Sequence, residues 1–341
     1  MKTYKTLIFG AVILCPFCAY SGVSELSVPF LLIFPDARQN GMAGVFTGVA
    51  DDALATYYND AGMAFQQKHN IAFTHMNLLP GLYPGIYYET LSSVFPIFKP
   101  DSLKESKQAI GVNVIWLHTG TSEGTDNRGN EIGPWGNWDF SAKVSYANRI
   151  TKKFSVGAGV KYIYSFLCPV ETIRLLYGQS IRYGGSGQAF AFDFSGLYVF
   201  SKRLQLGLSV QNLGSDITYI EAGIGEPLPR ILRAGISYKP NNKLVIAGDI
   251  TKVLVGVFQD WQESGFDYIY RDTWKGIGLE YTFYKIFSAR WGYFSDITGK
   301  RSGPTFGLGI KVKGVSADIA LDSRLYEFPT ENWTFSFHYC F

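Results

Sequence analysis

Long apolar runs are missing from this sequence after its first 21 residues, where no stretch approaches the roughly 18 consecutive apolar residues that a spanning helix needs. Charged residues are also scarce, at 17% of the chain, against roughly 25% in an average globular domain. The net charge is only +3, and the basic residues are dispersed along the sequence rather than clustered. We therefore exclude helical membrane spans beyond the N-terminus, and we predict no nucleic-acid partner.

Cysteine and histidine are too sparse to build a disulfide or metal framework. The chain has four cysteines and four histidines, and the histidines show no metal-ligand spacing. Only Cys168 and Cys340 lie beyond the N-terminal segment that we interpret below as a signal peptide, and a bridge between them is not favoured. We predict no metal site, no cofactor and no enzymatic activity.

Two short motifs match chemical signatures, and both have a simpler interpretation. Residues 120–124 read Gly-Thr-Ser-Glu-Gly, the spacing of a nucleophile elbow, but that elbow needs a strand–turn–helix context. Here the motif is predicted to lie in a long polar loop. Residues 126–131 offer oxygen ligands for calcium, but Arg128 stands among them. We interpret both motifs as solvated loop segments.

The N-terminus has the pattern of a secretory signal. Lys2 and Lys5 give it a positive start, and residues 7–19 form an apolar core that is too short for a spanning helix. Small residues at the two positions that a signal peptidase reads predict cleavage before Gly22. The chain is therefore expected to be exported.

What the chain has in abundance is aromatic residues (16%) and glycine (37 residues), arranged with a two-residue period. In residues 333–341 the aromatic side chains share one face of a strand, and small or polar side chains share the other. An outer-membrane barrel turns such an aromatic face to lipid and keeps the polar face in its lumen. A chain that ends in this way resembles the terminal recognition strand of bacterial outer-membrane barrels. Its predicted barrel-assembly signal is Phe337, Tyr339 and Phe341.

Similar runs of about ten residues recur between Asn70 and Phe341, and this is the length of a tilted membrane strand. They count to about fourteen, an even number as single-chain bacterial barrels require. From residue 118 onward long and short connections alternate, beginning with a long loop at 118–137 and a short turn at 148–153. The predicted fold class is all-β: a closed transmembrane antiparallel β-barrel of about 14 strands in the bacterial outer membrane. Outer-membrane lipid and the barrel-assembly machinery are its expected partners.

The segment before the first strand has no two-residue period. Residues 31–65 are punctuated by glycine, and Asp51 or Asp52 can cap a short helix that runs through Tyr58. A segment of about 40 residues between signal and barrel predicts a plug that is folded into the lumen. We therefore assign residues 1–21 to the signal peptide, 22–69 to the N-terminal plug and 70–341 to the barrel.

Alternation also assigns charged residues of both signs to the lumen. Because unpaired charges are expensive in a narrow interior, we expect neighbouring ion pairs that stiffen the barrel and hold the plug. Asp36 and Arg38 in the plug are expected to bind to these charges, and a solute pathway is the alternative. The predicted lumen charges are Lys143, Lys161, Asp193, Arg233, Asp249, Glu280, Arg290, Lys311 and Asp318.

Two blocks of the plug, residues 30–44 and 49–65, resemble the N-terminal signature of the PorV/PorQ family. In that family the second block usually reads Tyr-Trp-Asn-Pro-Ala-Gly-Leu, and this chain has Tyr58 for the Trp and Asp60 for the Pro. The residues that form the plug motif are Asp36, Arg38, Gly41, Met42, Gly44, Asp51, Asp52, Tyr58, Asn59 and Gly62.

The resemblance implies a FadL-like barrel of fourteen strands that is tied to type IX secretion and has no enzymatic role. PorV-type barrels bind the C-terminal signal domains of secreted proteins as these leave the translocon, and carry them to a surface attachment complex. Secreted proteins and other type IX secretion components are thus the implied partners. The alternative on the same fold is a FadL-like channel for hydrophobic small molecules. An apolar pocket beneath the plug that reaches a lateral gap in the wall would favour the channel.

One predicted loop combines aromatic and acidic residues, as protein interfaces do. It spans residues 258–272 and is our candidate partner-docking loop. The alternative is an external loop that folds over its own barrel. The aromatic residues of the candidate docking loop are Phe258, Trp261, Phe266, Tyr268 and Tyr270.

Overall fold

Fourteen antiparallel strands close into one barrel in the computed structural model. It describes residues 26–80, 85–98, 105–125, 128–177, 182–221, 223–254, 265–323 and 331–341. The predicted signal peptide lies outside these residues. Among the described residues, no helix combines the length and apolar character that a bilayer span requires.

Each strand pairs with its neighbours in sequence, and β1 closes the barrel on β14. The predicted fold class and strand number are therefore confirmed. The strands are β1 Asn70–Asn77, β2 Ile86–Ile97, β3 Gln108–Thr125, β4 Glu131–Arg149, β5 Phe154–Phe166, β6 Ser186–Val199, β7 Leu204–Gly214, β8 Ile231–Tyr238, β9 Leu244–Val253, β10 Trp274–Phe283, β11 Phe287–Asp296, β12 Arg301–Val312, β13 Val315–Ser323 and β14 Glu331–Cys340.

The seam between β1 and β14 shows how the two faces of the wall differ. Phe73 lies opposite Phe337, and both rings point outward, 44% and 58% exposed. One residue further along, Thr74 and Ser336 are buried inside the barrel and their hydroxyls are hydrogen-bonded at 3.0 Å. Strand alternation thus puts aromatic side chains toward lipid and polar side chains toward the lumen.

Connections of two kinds separate the two ends of the barrel. We define the short-turn end as the end that carries the short connections 150–153, 200–203, 239–243, 284–286 and 313–314, together with the ten-residue connection 98–107. The long-loop end carries the connections 167–185, 215–230 and 254–273. In bacterial barrels the short turns face the periplasm and the long loops face the exterior.

The predicted long loop at 118–137 is wrong. Strand β3 continues to Thr125 and β4 begins at Glu131, with a register shift between His118 and Thr121. The nucleophile-elbow motif at 120–124 therefore lies in a strand and not in a loop. Beyond the lipid a strand needs no apolar outward face, so the two-residue period fades while the backbone hydrogen bonds continue.

The N-terminal segment, residues 26–69, contains four short helical turns. They are a 3-10 helix at Pro29–Leu32, α1 at Ala37–Asn40, α2 at Ala55–Tyr58 and a 3-10 helix at Asp60–Phe65. Helix α2 begins later than predicted, so Asp52 Oδ1 accepts the N–H of Leu54 and does not cap the first turn of the helix. Two further helices, α3 at Val170–Tyr177 and residues 265–271, belong to the long loops.

This N-terminal segment crosses the lumen. A Cβ added to Gly157 on β5 would lie 2.5 Å from the backbone N of Ala61, and one added to Gly41 would lie 2.8 Å from the Cα of Gly307 on β12. Strands β5 and β12 are seven strands apart in a wall of fourteen, on opposite sides. Met42, which lies against Gly278 on β10, is completely buried. Glycines in the wall therefore allow the backbone of the segment to touch both sides.

Candidate functional site

Arg38 joins the N-terminal segment to one side of the wall. Its Nε and Nη2 donate to the two carboxylate oxygens of Glu280 on β10, each at 2.9 Å, which is a bidentate pair. Its Nη1 lies 2.7 Å from Asp51 and 2.8 Å from Asp52. On β11, Arg290 pairs with the same Glu280 at 2.7 Å. We name this group the arginine cluster: Arg38, Asp51, Asp52, Glu280, Arg290 and Asp318, which lies 2.6 Å from Arg290.

Asp51 is the outermost member of the arginine cluster, with 37% of its side chain exposed. Its Oδ2 accepts a hydrogen bond from Lys239 Nζ at 2.8 Å. Burial alone would raise the pKa of Asp51, but the charges of Arg38 and Lys239 outweigh burial and hold this pKa well below its usual value. Asp51 therefore remains an anion at neutral pH and connects the segment to the short-turn end.

Two lysines lie on the opposite side of the lumen, and one of them, Lys143, holds the segment. Lys143 Nζ, on β4, lies 2.8 Å from Asp60 in the segment and 2.6 Å from Asp193 on β6. It also donates to the carbonyl oxygen of Thr56 at 2.8 Å. Lys161 Nζ, on β5, lies 3.3 Å from Asp193. We name these four residues the lysine cluster: Lys143, Lys161, Asp60 and Asp193. All four side chains are buried, and the two cations balance the two anions.

Arg233 on β8 is compensated by aromatic rings and an amide. Its guanidinium lies over the rings of Tyr57 and Tyr58, 5.5 and 5.4 Å from their centroids. Its Nε donates to Gln211 Oε1 at 3.1 Å. Only 1% of Arg233 is exposed, so these cation–π contacts act with little competition from water.

Asp249 on β9 binds the backbone of the segment. Its Oδ2 accepts the N–H groups of Phe46 and Thr47 at 2.9 and 2.8 Å. Lys311 on β12 lines a polar cavity at the short-turn end. It has no acidic group within 4 Å in the part of the chain that the structure describes. For Arg233, Asp249 and Lys311 the expected ion pairs are therefore absent among the described residues. Tyrosine rings and the Gln211 side-chain amide compensate the charge of Arg233. Backbone N–H groups compensate the charge of Asp249. Alternation alone cannot reveal such partners.

His338, Asp60, Lys239 and Tyr57 belong to the site but were not among the predicted site residues. His338 Nε2 on β14 lies 3.0 Å from Asp36 Oδ2, and the same oxygen accepts the Thr74 hydroxyl at 3.0 Å. In the sequence, alternation along the last strand places His338 on the inner face, and this pattern could have identified it as a site residue. Asp60 of the lysine cluster was visible only as a departure from the family block, at the position where proline is usual.

Two cavities lie on either side of the segment, and they have no lining residue in common. The larger cavity, about 590 Å³, lies at the short-turn end and is lined by charged groups that include Arg38 and Lys311. The smaller cavity, about 160 Å³, lies at the long-loop end and is lined mainly by apolar groups that include Phe34, Leu117 and Trp274.

A family signature covers the segment and most of the barrel. The family described as "Type IX secretion system protein PorV" matches residues 21–260. The chain belongs to the PorV family. No curated protein matches it.

Solved structures with the same fold as this PorV-family barrel are hydrocarbon transporters and FadL relatives. The Pseudomonas putida toluene transporter TodX aligns with a TM-score of 0.61 at 14% identity, over 90% of this chain and 98% of its own. The Ralstonia pickettii toluene transporter TbuX aligns with a TM-score of 0.59 at 16% identity, with the same coverage. A Pseudomonas aeruginosa FadL homologue reaches 0.52 at 13% identity, again over 90% and 98%. At these identities the likeness shows a FadL-like fold.

Family and fold together define the class of protein. This PorV-family barrel is an integral outer-membrane protein of type IX secretion, and its fold is that of transport and secretion barrels. The prediction of the PorV/PorQ family is confirmed. The roles of the individual plug and lumen residues remain predictions.

The other plug-motif residues shape the segment itself. Tyr58 is completely buried and packs edge-on against Phe46, with ring centroids 5.6 Å apart. Asn59 caps the second 3-10 helix, because its Oδ1 accepts the N–H of Ala61. Gly44 has a φ of +72°, and a Cβ on Gly62 would lie 2.3 Å from the carbonyl oxygen of Ala50. Only glycine fits these two places without a shift.

The predicted docking loop is described only in part. Phe258 and Trp261 lie outside the described residues. Phe266, Tyr268 and Tyr270 belong to the helix at 265–271, where Phe266 and Tyr270 are exposed. At the opposite end of the barrel, the predicted assembly signal points outward from β14 and its aromatic side chains are exposed.

The described residues contain no group of three or more His, Cys, Asp or Glu side chains that could hold a metal ion. Part of the calcium-like turn, residues 126–127, lies outside them. Cys168 and Cys340 are both free thiols. They lie near opposite ends of the barrel, Cys168 just after β5 and Cys340 at the end of β14.

Proposed function

We propose that this PorV-family barrel docks and carries proteins exported by type IX secretion, at its long-loop end, and does not conduct solutes through its lumen. The observation that supports this most strongly is the N-terminal segment, which crosses the lumen from β5 to β12. The lysine cluster and the arginine cluster hold it on two sides. The cavities above and below it share no lining residue.

Exposed aromatic side chains at the long-loop end offer a docking surface. Tyr183, Phe266 and Tyr270 are 65%, 67% and 53% exposed. Charged residues such as Asp267 and Arg271 lie beside them. Aromatic anchors within a polar rim are typical of protein interfaces. The partner that fits the family is the C-terminal signal domain of an exported protein.

A binding titration with matched variants tests the docking proposal. The full barrel in lipid nanodiscs is titrated with a purified C-terminal signal domain from an exported protein of the same cell. Removing two aromatic anchors with Phe266→Ala and Tyr270→Ala is expected to weaken binding by about tenfold or more. The control, Phe200→Ala with Tyr284→Ala, removes two exposed rings from the short-turn end and should bind like the parent. Equal binding by all three proteins would refute docking at this surface.

A FadL-like channel for hydrophobic molecules is the second candidate function. The apolar cavity of about 160 Å³ at the long-loop end favours it, and the solved relatives TodX and TbuX are toluene transporters. Two observations weigh against it. The cavity is smaller than the roughly 300 Å³ at which ligand pockets usually begin, and every neighbouring pair of the described strands is hydrogen-bonded in a closed wall.

Toluene uptake separates the two functions. Liposomes that contain the parent barrel are expected to take up labelled toluene no faster than protein-free liposomes. Leu117→Trp, which fills the apolar cavity, should then change nothing. Faster uptake by the parent that Leu117→Trp abolishes would instead establish a channel.

A further inference from the structure

The short-turn end of the barrel carries an exposed lysine in every connection. At least one exposed lysine lies in each of the six connections from an even-numbered strand to the next odd-numbered strand, so these residues follow one another around the barrel from β2 to β13. We name them the basic ring: Lys107, Lys152, Lys202, Lys243, Lys285 and Lys313.

No member of the basic ring has an acidic group within 4 Å among the residues that the structure describes. The one acidic side chain described in these connections, Glu105, is paired with Arg149 at 3.2 Å. The long-loop end differs, because cations and anions there are mixed and paired. Arg230 lies 3.1 Å from Asp216, and Arg301 lies 2.7 Å from Asp296.

Topology creates the ring from basic residues that are dispersed in the sequence. Consecutive hairpins return the chain to the same end of the barrel after every second strand. Lysines that are 28 to 50 residues apart thus come to lie on one rim, and those positions are visible in the sequence. Dispersion along the chain, which argues against a nucleic-acid site, therefore does not exclude a concentrated positive rim in the fold.

Apolar side chains lie directly beside the basic ring on the outer surface. Ile150, Phe200, Tyr284 and Phe287 are 57%, 48%, 86% and 53% exposed at the same end of the barrel. Aromatic belts of this kind sit at the level of the lipid headgroups. A lysine beyond such a belt extends its aliphatic stem along apolar surface and keeps its ammonium group in the headgroup layer.

We propose that the basic ring binds the phosphate-bearing headgroups of anionic phospholipids in the periplasmic leaflet of the outer membrane. Short turns of bacterial barrels face that leaflet. Unpaired ammonium groups at headgroup level attract anionic lipids. The distribution of the ring around the barrel fits a lipid shell, which surrounds the protein. An acidic protein partner would contact one sector only.

Lipid selectivity measured by spin-label spectroscopy tests the proposal. The full barrel is reconstituted in phosphatidylcholine bilayers that contain either spin-labelled phosphatidylglycerol or spin-labelled phosphatidylcholine. The fraction of motionally restricted label gives the relative association constant of the two lipids. The parent is expected to prefer phosphatidylglycerol by about fivefold, which corresponds to roughly one lysine contact per lipid. Salt should lower the preference, because the lysines are exposed.

Two quadruple variants locate the effect. Lys107→Gln, Lys152→Gln, Lys202→Gln and Lys243→Gln remove four of the six members of the ring and should lower the preference clearly below that of the parent. The control neutralises four cations of the long-loop end, with Arg128→Gln, Arg182→Gln, Arg271→Gln and Lys300→Gln, and should keep the parent's preference. Heat-modifiable migration on gels confirms that each variant is a folded barrel.

Selectivity that survives in the ring variant, or that falls equally in both variants, would overturn the proposal. A ring variant that keeps its lipid selectivity but loses an acidic periplasmic protein would assign the ring to that protein instead. Neither result depends on the long-loop end, so the docking proposal and this one fail separately.

Discussion

At the scale of single residues, Lys143 is the cation on which the lysine cluster depends. It lies between Asp60 and Asp193, and only 2% of its side chain is exposed. Replacing one partner of a buried ion pair leaves the other charge uncompensated, which costs about 3–5 kcal/mol. We therefore expect Lys143→Met to lower the free energy of unfolding by about that amount, measured by urea titration in lipid vesicles. Lys153→Met is the control, an exposed lysine whose loss should change stability by less than about 0.5 kcal/mol.

If Lys143→Met were as stable as the control, the lysine cluster would not hold the segment. A double variant, Lys143→Met with Asp60→Asn, gives a second measurement. It should recover part of the lost stability, because it removes a buried anion that the single variant leaves without its lysine.

Asp51 provides a pH test of the opposite side of the lumen. Its pKa lies below the value of an unfolded chain, because Arg38 and Lys239 outweigh the effect of burial. A group with a lowered pKa contributes stability above its unfolded pKa, near 4, and loses that contribution as the pH falls toward the folded value. Asp51→Asn should therefore be less stable than the parent at pH 7, and the difference should narrow below about pH 4.

Urea titrations of the parent and of Asp51→Asn at both pH values give this comparison. Asp267→Asn, an exposed carboxylate of the long-loop end, is the control and should match the parent at both. A difference for Asp51→Asn that is the same at pH 7 and at low pH would mean that its charge is not what stabilises the segment.

The sequence locates the lumen residues better than it identifies their partners. Two-residue alternation assigns Glu280 and Asp193 correctly to the inner face, and both are paired there. It cannot show that Arg233 lies over tyrosine rings or that Asp249 accepts backbone N–H groups. Those partners belong to the N-terminal segment, whose path has no period that a pattern could reveal. Partner identity depends on tertiary packing.

At the scale of elements, the close approach of the segment to β5 can be tested directly. A valine at Gly157 would place its Cβ 2.5 Å from the backbone N of Ala61, so the segment or the strand must shift. Overpacking of this kind costs about 1–3 kcal/mol. We expect Gly157→Val to raise amide hydrogen exchange in the 3-10 helix at Asp60–Phe65 by about tenfold or more. Exchange in the barrel strands should stay the same.

Gly196→Val on the neighbouring strand is the matched control for this test. The nearest atoms to a Cβ at Gly196 are 3.6 Å away on the ring of Phe154, an ordinary contact distance. Its exchange pattern should match that of the parent. Fast exchange in both variants, or in neither, would mean that the segment does not rest on Gly157.

Strand boundaries are the part of the fold that the sequence predicts least well. Within the lipid the outward face must be apolar, so alternation predicts β14 closely: the predicted strand is 333–341, and the observed strand is Glu331–Cys340. Strands β3 and β4 continue past the lipid through Gly120 and Gly136, where no such constraint acts. Their backbone pairing persists without an apolar pattern, and a loop was therefore predicted where a hairpin stands.

At the scale of the whole molecule, closure of the barrel follows from the solvent on its outer side. Lipid offers no hydrogen bonds, so every strand edge must be paired, and a closed sheet is the solution. TodX has this architecture at 14% identity, which shows that the pattern of faces carries the fold while most individual residues change. The contents of the lumen depend instead on particular residues of the N-terminal segment, which the PorV family match includes together with most of the barrel.

The docking proposal, in which the segment blocks the lumen, predicts almost no ion conductance in a planar bilayer. The parent barrel should show almost no single-channel ion conductance, because the segment crosses from β5 to β12 and separates the two cavities. Deleting residues 30–65 should open a stable conducting pore lined by the charges of β10 and β11. Arg38→Met, which removes the contacts with Glu280, Asp51 and Asp52, should give brief openings, because the lysine cluster still holds the other side.

Gel migration and circular dichroism establish that the deletion variant is still a barrel before its conductance is interpreted. Gly196→Val, whose new side chain does not contact the segment, should show as little ion conductance as the parent. A parent that conducts steadily would remove the basis for a docking barrel and favour the channel. A deletion variant that remains closed would show that side chains of the wall fill the lumen, and that the segment has a role other than blocking it.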